Sequence, residues 1–64
     1  MLGLKIRALR NQLGFSQEKL AEKAELHPNY VGELERGEEN VSLDTLMKIA
    51  RALKVRVRDL ISDV

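Results

Sequence analysis

The sequence predicts an all-α protein, and three observations support this. Apolar residues recur at helical spacing, as at Leu2, Ile6 and Leu9. No alternating β-branched run with hairpin turns is present. Glycine, proline and serine residues divide the chain into five short segments, at positions suited to helix ends. The 64 residues leave room for one domain, residues 1–64, so we expect five helices around a single core.

The first two predicted helices are bounded by a glycine and a serine. Helix 1 covers about Leu4–Gln12, its apolar stripe continues to Leu13, and Gly14 follows as a C-terminal stop. Ser16 offers an N-cap for helix 2, about Gln17–Ala24, because its hydroxyl can accept a hydrogen bond from a free backbone N–H. The expected buried face of helix 2 comprises Leu20, Ala21 and Ala24.

Helix 3 follows helix 2 after only three residues. Pro28 suits its first position, His27 is the expected N-cap, and the helix runs to about Arg36 before Gly37 stops it. So short a connection forces the two helices to cross steeply, as in a helix-turn-helix. The apolar side of helix 3 carries Tyr30, Val31 and Leu34, and the other side carries Asn29, Gly32, Glu33 and Arg36.

The last two predicted helices complete the core. Ser42 caps helix 4, and Asp44 adds favourable charge to its first turn. A short helix 5 is expected over about Val57–Ile61. The expected core face of helix 4 comprises Leu43, Leu46, Met47, Ile49, Ala50 and Leu53.

The composition argues against several kinds of protein. There is no cysteine, which excludes disulfides and thiolate metal sites. His27 is the only histidine and cannot form a histidine-based metal site alone, so capping or solvent exposure is its expected role. No Ser–His–Asp or paired-carboxylate arrangement stands out, and we expect neither an enzyme nor a cofactor. No apolar run approaches the roughly 20 residues of a membrane span, and a secretory signal is not evident, so a soluble cytoplasmic protein is expected.

Charge is distributed unevenly along the chain. The net charge is only +1, which by itself is a weak indication of a nucleic-acid partner. Residues 1–15 carry three basic residues and no acid, and residues 41–64 have a net charge of +2. Residues 16–40 carry seven acidic and three basic residues. The chain is therefore basic at both ends and acidic in the middle.

Residues from about Ile6 to Ile61 resemble the Cro/repressor-type (Xre-like) helix-turn-helix family of small bacterial and phage DNA-binding domains. The matching pieces are IRALRNQLGFSQEKLAEKAEL, HPNYVGELERGEEN and VSLDTLMKIARALKVRVRDLI, in the family's order and spacing. The middle piece is most similar to the controller proteins of restriction-modification systems, through Tyr30, Glu35, Arg36, Gly37, Asn40 and Ser42.

The resemblance implies a lambda-repressor-like domain that regulates transcription by binding double-stranded DNA. Helix 3 would enter the major groove, and a homodimer would place two such helices about 34–36 Å apart on a palindromic operator. The packing that the resemblance implies buries Leu20, Ala21, Val31, Leu34, Leu46 and Ile49 together. The implied DNA contacts are Gln17, Pro28, Asn29, Tyr30, Gly32, Glu33, Arg36 and Asn40.

The chemistry of these residues suits a DNA groove but also suits a solvated helix face. Asn29 can form two hydrogen bonds with adenine, and Glu33 can accept one from N4 of cytosine. Gln17 would contact a phosphate beside the free N–H groups of the helix start. Gly32 costs about 1 kcal/mol relative to alanine inside a helix, which a close approach of DNA would explain. Tyr30 would pack its ring inward and could offer its hydroxyl to a phosphate.

The resemblance also implies structural roles. Arg10 and Glu35 stand where the family places an ion pair between helices 1 and 3; the alternative is two independent surface charges. Glu25 occupies a turn position usually held by glycine, which predicts strain if its φ is positive. The expected side-chain contacts to phosphate come from Arg7, Arg10, Gln17 and Arg36.

The acidic middle region leaves two functional hypotheses. A specific regulator with few phosphate contacts would bind non-specific DNA weakly and would depend on its dimer. The dimer interface is expected on helix 5, at Val57, Leu60 and Ile61, with the end of helix 4. The alternative is a protein-interaction or dimerisation module of the same fold that has lost DNA binding.

Overall fold

The computed structural model describes residues 2–38 and 40–61 and confirms the all-α prediction. These residues form five helices: α1 (Leu2–Gln12), α2 (Gln17–Ala24), α3 (Pro28–Glu35), α4 (Leu43–Leu53) and α5 (Val57–Ile61). Helix α1 begins two residues before the predicted start, and α3 ends one residue before Arg36. None of the helices in the described ranges has the length and apolar character needed to cross a bilayer.

The three predicted N-caps all form hydrogen bonds. The Ser16 hydroxyl accepts from the backbone N–H of Lys19 at 3.0 Å, and the Ser42 hydroxyl accepts from that of Thr45 at 3.2 Å. Nδ1 of His27 accepts from the N–H of Asn29 at 3.1 Å. Each cap satisfies a backbone donor that the helix itself cannot pair, so these residues determine where α2, α3 and α4 begin.

The core lies between α2, α3 and α4, with α1 and α5 completing it. Helix α2 packs against α3 and α4, while α1 packs against α3 and α5. The six residues predicted to be buried together are all buried. The fully buried large side chains are Ile6, Leu20, Val31 and Ile49.

Four apolar residues differ in burial from what the sequence pattern predicts. Leu43 and Met47 are 67% and 46% exposed, because they share the outer side of α4, one turn apart. Leu13 is also exposed, since α1 has already ended when the chain reaches it. Leu60 is 2% exposed and belongs to the core of the protomer.

Among the residues that the structure describes, four have a positive φ, each at or just after the end of a helix. Gly14 and Gly37, the predicted stops, have φ of 74° and 75°. Glu25 has φ 59° at the end of α2, so the condition under which strain was predicted at this non-glycine residue is met. Lys54 has φ 62° at the end of α4, a position at which no left-handed residue was predicted. The two non-glycine residues carry a steric cost that a glycine would avoid.

Helix α1 approaches the end of α3 at Gly3. A Cβ atom at this position would lie 2.5 Å from the carbonyl oxygen of Leu34 and 2.6 Å from that of Glu35. Both neighbours are backbone atoms, which cannot rotate away. Gly3 therefore permits the contact between α1 and α3 that brings Arg7 and Arg10 to Glu35.

Candidate nucleic-acid interface

The start of α2 and the outer side of α3 form one open depression of about 270 Å³. Six of the eight residues predicted to contact DNA surround it: Gln17, Pro28, Asn29, Gly32, Glu33 and Arg36. Tyr30 and Asn40 are not part of its lining. The structure therefore brings most of the predicted set to a single concave surface.

Helix geometry explains why these side chains meet. Asn29, Gly32, Glu33 and Arg36 are separated by three, one and three residues, which places them along one side of α3 and its C-terminal cap. Gln17 is the first residue of α2, and the tight connection between the helices carries it to the same side. The depression thus depends on the helix-turn-helix corner.

Gly32 lies under two neighbouring side chains. A Cβ atom there would be 3.2 Å from Nη1 of Arg36 and 3.4 Å from Oε1 of Gln17. The glycine is buried, although it lies on the side of α3 that the sequence predicts to face outward. Its lack of a side chain allows Gln17 and Arg36 to cover the helix backbone. This packing explains the glycine and could not be predicted from the sequence.

Tyr30 and Asn40 are joined in the loop after α3. The Tyr30 ring is half-buried against the core, as predicted, and its hydroxyl donates to the backbone carbonyl oxygen of Asn40 at 3.1 Å. The hydroxyl proton is therefore engaged within the protein. The Asn40 residue is exposed beyond the end of α3.

Glu35 is the centre of a buried ionic network. Its carboxylate accepts from Nε of Arg10 at 2.6 Å and from Nη2 of Arg10 at 3.1 Å, so the predicted ion pair is present. Nε of Arg7 and Nε2 of Gln17 also donate to it, at 3.3 and 3.1 Å. Nη1 of Arg10 donates to the carbonyl oxygen of Phe15 at 2.8 Å. The network connects α1, the start of α2 and the end of α3.

The network keeps Glu35 ionised. Burial of the carboxyl group raises its pKa, but the hydrogen bonds from Arg10 and Gln17, the charge of Arg10 and the hydrogen bond from Arg7 together lower it below its ordinary value. The hydrogen bond to Glu35 likewise raises the pKa of Arg10. The carboxylate thus stabilises the fold in its charged form.

A second ion pair lies at the edge of the depression. Arg36 donates from Nε to Oε2 of Glu38 at 3.0 Å and from Nη2 to Oε1 at 3.1 Å. Both side chains are exposed, and the hydrogen bond lowers the pKa of Glu38. Glu38 therefore competes with any phosphate for the guanidinium group of Arg36.

These ion pairs reduce the number of side chains that are free to contact phosphate. The Arg10 side chain is only 12% exposed and all three of its guanidinium nitrogens donate to Glu35 or Phe15, so it is poorly placed for the predicted contact with phosphate. Arg7 keeps 48% of its side chain exposed while bonding Glu35. Gln17 and Arg36 reach the depression, but each already has an acidic partner.

Sequence reasoning did not predict the structural roles of three residues, and for Arg7 it predicted only a phosphate contact. Arg7 lies one turn before Arg10 on α1, and that spacing could have indicated a shared partner. Glu38 follows Arg36 by two residues, but no helix-period rule pairs charges at that separation in a loop. Gly3 could be found only from the approach of α1 to α3.

The predicted dimer residues differ in their exposure. Ile61 is 61% exposed and Val57 is half-buried. Leu60 is buried in its own protomer, because α5 turns it toward α1 and α4, so it does not offer the exposed side chain that the predicted dimer interface requires. Any contact with a second copy through α5 would use Ile61 and the exposed part of Val57.

Comparisons with known proteins agree with this geometry. A sequence model described as helix-turn-helix matches residues 6–60. Control protein C.BamHI of Bacillus amyloliquefaciens is 45% identical over 62 residues, which covers 95% of this chain and 76% of that protein. The crystal structure of the restriction-modification controller protein C.AhdI from Aeromonas hydrophila matches with a TM-score of 0.91 and 46% identity, covering 92% of this chain and 89% of that one. SinR, the master regulator for biofilm formation, in complex with DNA, matches with a TM-score of 0.92 and 35% identity, over 97% of this chain and 100% of that one.

Proposed function

The chain belongs to the helix-turn-helix family of DNA-binding transcriptional regulators, and we propose that it works as a homodimer on a two-fold symmetric operator with α3 of each protomer in the major groove. The family resemblance predicted from the sequence is confirmed, and the relatives include restriction-modification controller proteins. The protein is not an enzyme. A regulator of this kind acts where the DNA is, which favours the cytoplasm.

The observation that carries the proposal is the depression between the starts of α2 and α3. It collects an amide at Asn29, a second amide at Gln17 and a carboxylate at Glu33 on one exposed surface. Side chains of these types are the ones that read base edges in the major groove. SinR, which has the same fold, was solved in complex with DNA, and this supports DNA as the partner.

Dimerisation is proposed from the size and charge of the protein. A single copy offers few free basic groups near α3, because Arg10 and Arg36 are engaged by Glu35 and Glu38. Two copies on paired half-sites act through a high effective concentration, which compensates for weak binding by each. The exposed Ile61 on α5 is the proposed centre of the contact.

The first experiment is the selection of bound sites from a randomised duplex pool at low salt. The expected product is a symmetric motif with half-sites about 10 base pairs apart, one turn of DNA. Asn29→Ala is expected to lose the base preference at one position of each half-site. Asn11→Ala is the matched control, since Asn11 is an exposed asparagine outside the depression.

The dimer is tested by sedimentation of two variants. Ile61→Asp places a charge on α5 and is expected to give a folded monomer. Leu43→Asp is the control, because Leu43 is equally exposed on the outer side of α4 but lies outside the proposed interface. If both variants remain dimeric, α5 is not the interface.

The acidic surface favours one other function, a protein-interaction module that has lost DNA binding. The pairing of Arg36 with Glu38 is the specific observation behind it. A folded dimer that recovers no motif from the pool would establish this alternative over the DNA-binding proposal.

A further inference from the structure

Glu35 determines which end of the Gln17 amide can face it. The carboxylate is buried, and it accepts hydrogen bonds from the guanidinium groups of Arg7 and Arg10. A carboxylate held between two cations has no proton to donate. The amide nitrogen of Gln17, which lies 3.1 Å from Oε1 of Glu35, is therefore the only end of that amide that can bond there.

The carbonyl end of the same amide is consequently turned into the depression. Oε1 of Gln17 lies 3.4 Å from the position that a Cβ atom at residue 32 would occupy. Because residue 32 is a glycine, the oxygen can lie over the backbone of α3. Glu33 lines the same depression, and its carboxylate is also an acceptor.

Acceptors on this surface favour one type of base edge. In the major groove, N4 of cytosine and N6 of adenine donate, whereas O6 and N7 of guanine and O4 of thymine accept. An acceptor facing another acceptor leaves both unpaired, which is unfavourable in a desolvated interface. Arg36 and the amide of Asn29 are the groups around the depression that could donate to guanine, and Glu38 holds Arg36 in two hydrogen bonds.

We propose that Glu35 is a positioning residue that holds Gln17 with its carbonyl oxygen toward the DNA, so that this oxygen accepts from the exocyclic amino group of an adenine or cytosine and disfavours guanine or thymine at the same place. The inference rests on the proposed function, because it requires DNA against α3. The second hydrogen on Nε2 of Gln17 remains free to reach a phosphate at the edge without reversing the amide.

The test uses the duplex recovered by the selection experiment. Each adenine or cytosine of a half-site is replaced in turn by N6-methyladenine or N4-methylcytosine, which removes the amino hydrogen exposed in the major groove. The wild type is compared with Gln17→Met. Gln12→Met is the matched control, since Gln12 is an exposed glutamine outside the depression.

We expect one position per half-site at which methylation weakens wild-type binding about fivefold or more, the lower end of what a good base contact contributes. The control should show the same loss, and Gln17→Met should show little. A steric effect of the methyl group would persist in Gln17→Met. That result would overturn the inference.

Glu35→Gln separates positioning from mere structural support. A neutral amide at residue 35 can donate or accept, so Gln17 can adopt either orientation. The expected result is a relaxed base preference at the methylation-sensitive position, with binding to a duplex lacking the motif almost unchanged. Equal weakening on both duplexes would indicate a purely structural role and would refute the positioning of Gln17.

Two further outcomes are distinguishable. If Glu35→Gln does not fold by circular dichroism, the comparison of Gln17→Met with Gln12→Met decides alone, because both residues lie at the surface. If Gln17→Met weakens every duplex equally, whether methylated or not, Gln17 is only a phosphate contact and the inference fails. Recovery of no motif from a folded dimer refutes the proposed function itself, and the inference falls with it.

Discussion

Replacing Arg10 by methionine tests whether the buried network stabilises the fold. Arg10→Met removes two hydrogen bonds to Glu35, at 2.6 and 3.1 Å, and the one to the carbonyl oxygen of Phe15 at 2.8 Å. The Glu35 side chain is fully buried, so the substitution leaves a carboxylate with only Arg7 and Gln17 as donors. Removing one partner of a buried pair costs about 3–5 kcal/mol.

The remaining donors set the expected value at the lower end of that range. Arg7 is half exposed and 3.3 Å from Glu35, so its compensation is partial and a loss of about 3 kcal/mol is expected. A 64-residue domain has roughly 3–10 kcal/mol of stability in total. Arg10→Met should therefore keep about 0–7 kcal/mol of stability, and urea unfolding followed by circular dichroism will measure the lowered midpoint.

A double-mutant cycle separates the pair from its surroundings. Glu35→Leu and the double variant Arg10→Met/Glu35→Leu are measured with Arg10→Met, and the double variant should recover much of the loss because no buried charge is left unpaired. Lys19→Met is the control: its pair with Glu22 is exposed, and a change below about 1 kcal/mol is expected. Additive losses in the cycle would refute the coupling between Arg10 and Glu35.

The pH dependence of the free energy of unfolding is a second test of the Glu35 network. The pKa of Glu35 is lowered in the folded protein, so the unfolded state binds its proton first as the solution is acidified. The contribution of Glu35 is fully present above its ordinary pKa of 4.5 and is lost as the pH falls through the lower folded value. Glu35→Leu should remove this part of the acid destabilisation.

Three further substitutions follow from the structure. Glu38→Gln should release Arg36 for phosphate, strengthen binding to all duplexes and steepen the logarithmic salt dependence by about 0.9. Glu22→Gln is the control and should change neither quantity, because Glu22 is an exposed carboxylate outside the depression. An unchanged slope for Glu38→Gln in a salt titration would contradict the competition between Glu38 and phosphate. Gly3→Ala should lower the free energy of unfolding by about 1–3 kcal/mol in urea, because its Cβ atom would overlap backbone carbonyls at the end of α3; full stability would show that α1 can shift. Glu25→Gly should raise the free energy of unfolding by about 0.5–1 kcal/mol, since the gain from a relaxed φ of 59° exceeds the added entropy of the unfolded chain; a lower urea midpoint would argue against strain there.

Local signals in the sequence were sufficient to predict where most of the helices begin and end. Ser16, Ser42 and Pro28 act within a few residues of their own position, as do the glycine stops at residues 14 and 37. The caps and stops depend on hydrogen bonds and φ values close by in the chain, so a reader of the sequence can locate them. The side of α3 that carries Asn29 and Glu33 follows from helical periodicity in the same way.

The assignment of apolar residues to core or surface was less complete. Helical spacing groups Leu43, Met47 and Leu46 on a broad apolar face, but only the packing of α2 against α4 decides which part is covered. Leu60 shows the opposite case: it was predicted to lie in the dimer interface, and the docking of α5 buries it in the core of its own protomer. Periodicity defines a face, whereas the angle between two helices decides its buried portion.

The sequence by itself determined five helices, a helix-turn-helix corner and the residues that could meet DNA, because each depends on neighbours along the chain. Only the tertiary structure decided which of those residues are already engaged: Arg10 and Gln17 by Glu35, and Arg36 by Glu38. Long side chains bond to groups that lie within a few ångströms in space. Such groups can be distant in the chain, as Arg10 and Glu35 are, which stand 25 positions apart. Those contacts, which no local pattern contains, decide which acidic side chains around α3 are paired with basic groups.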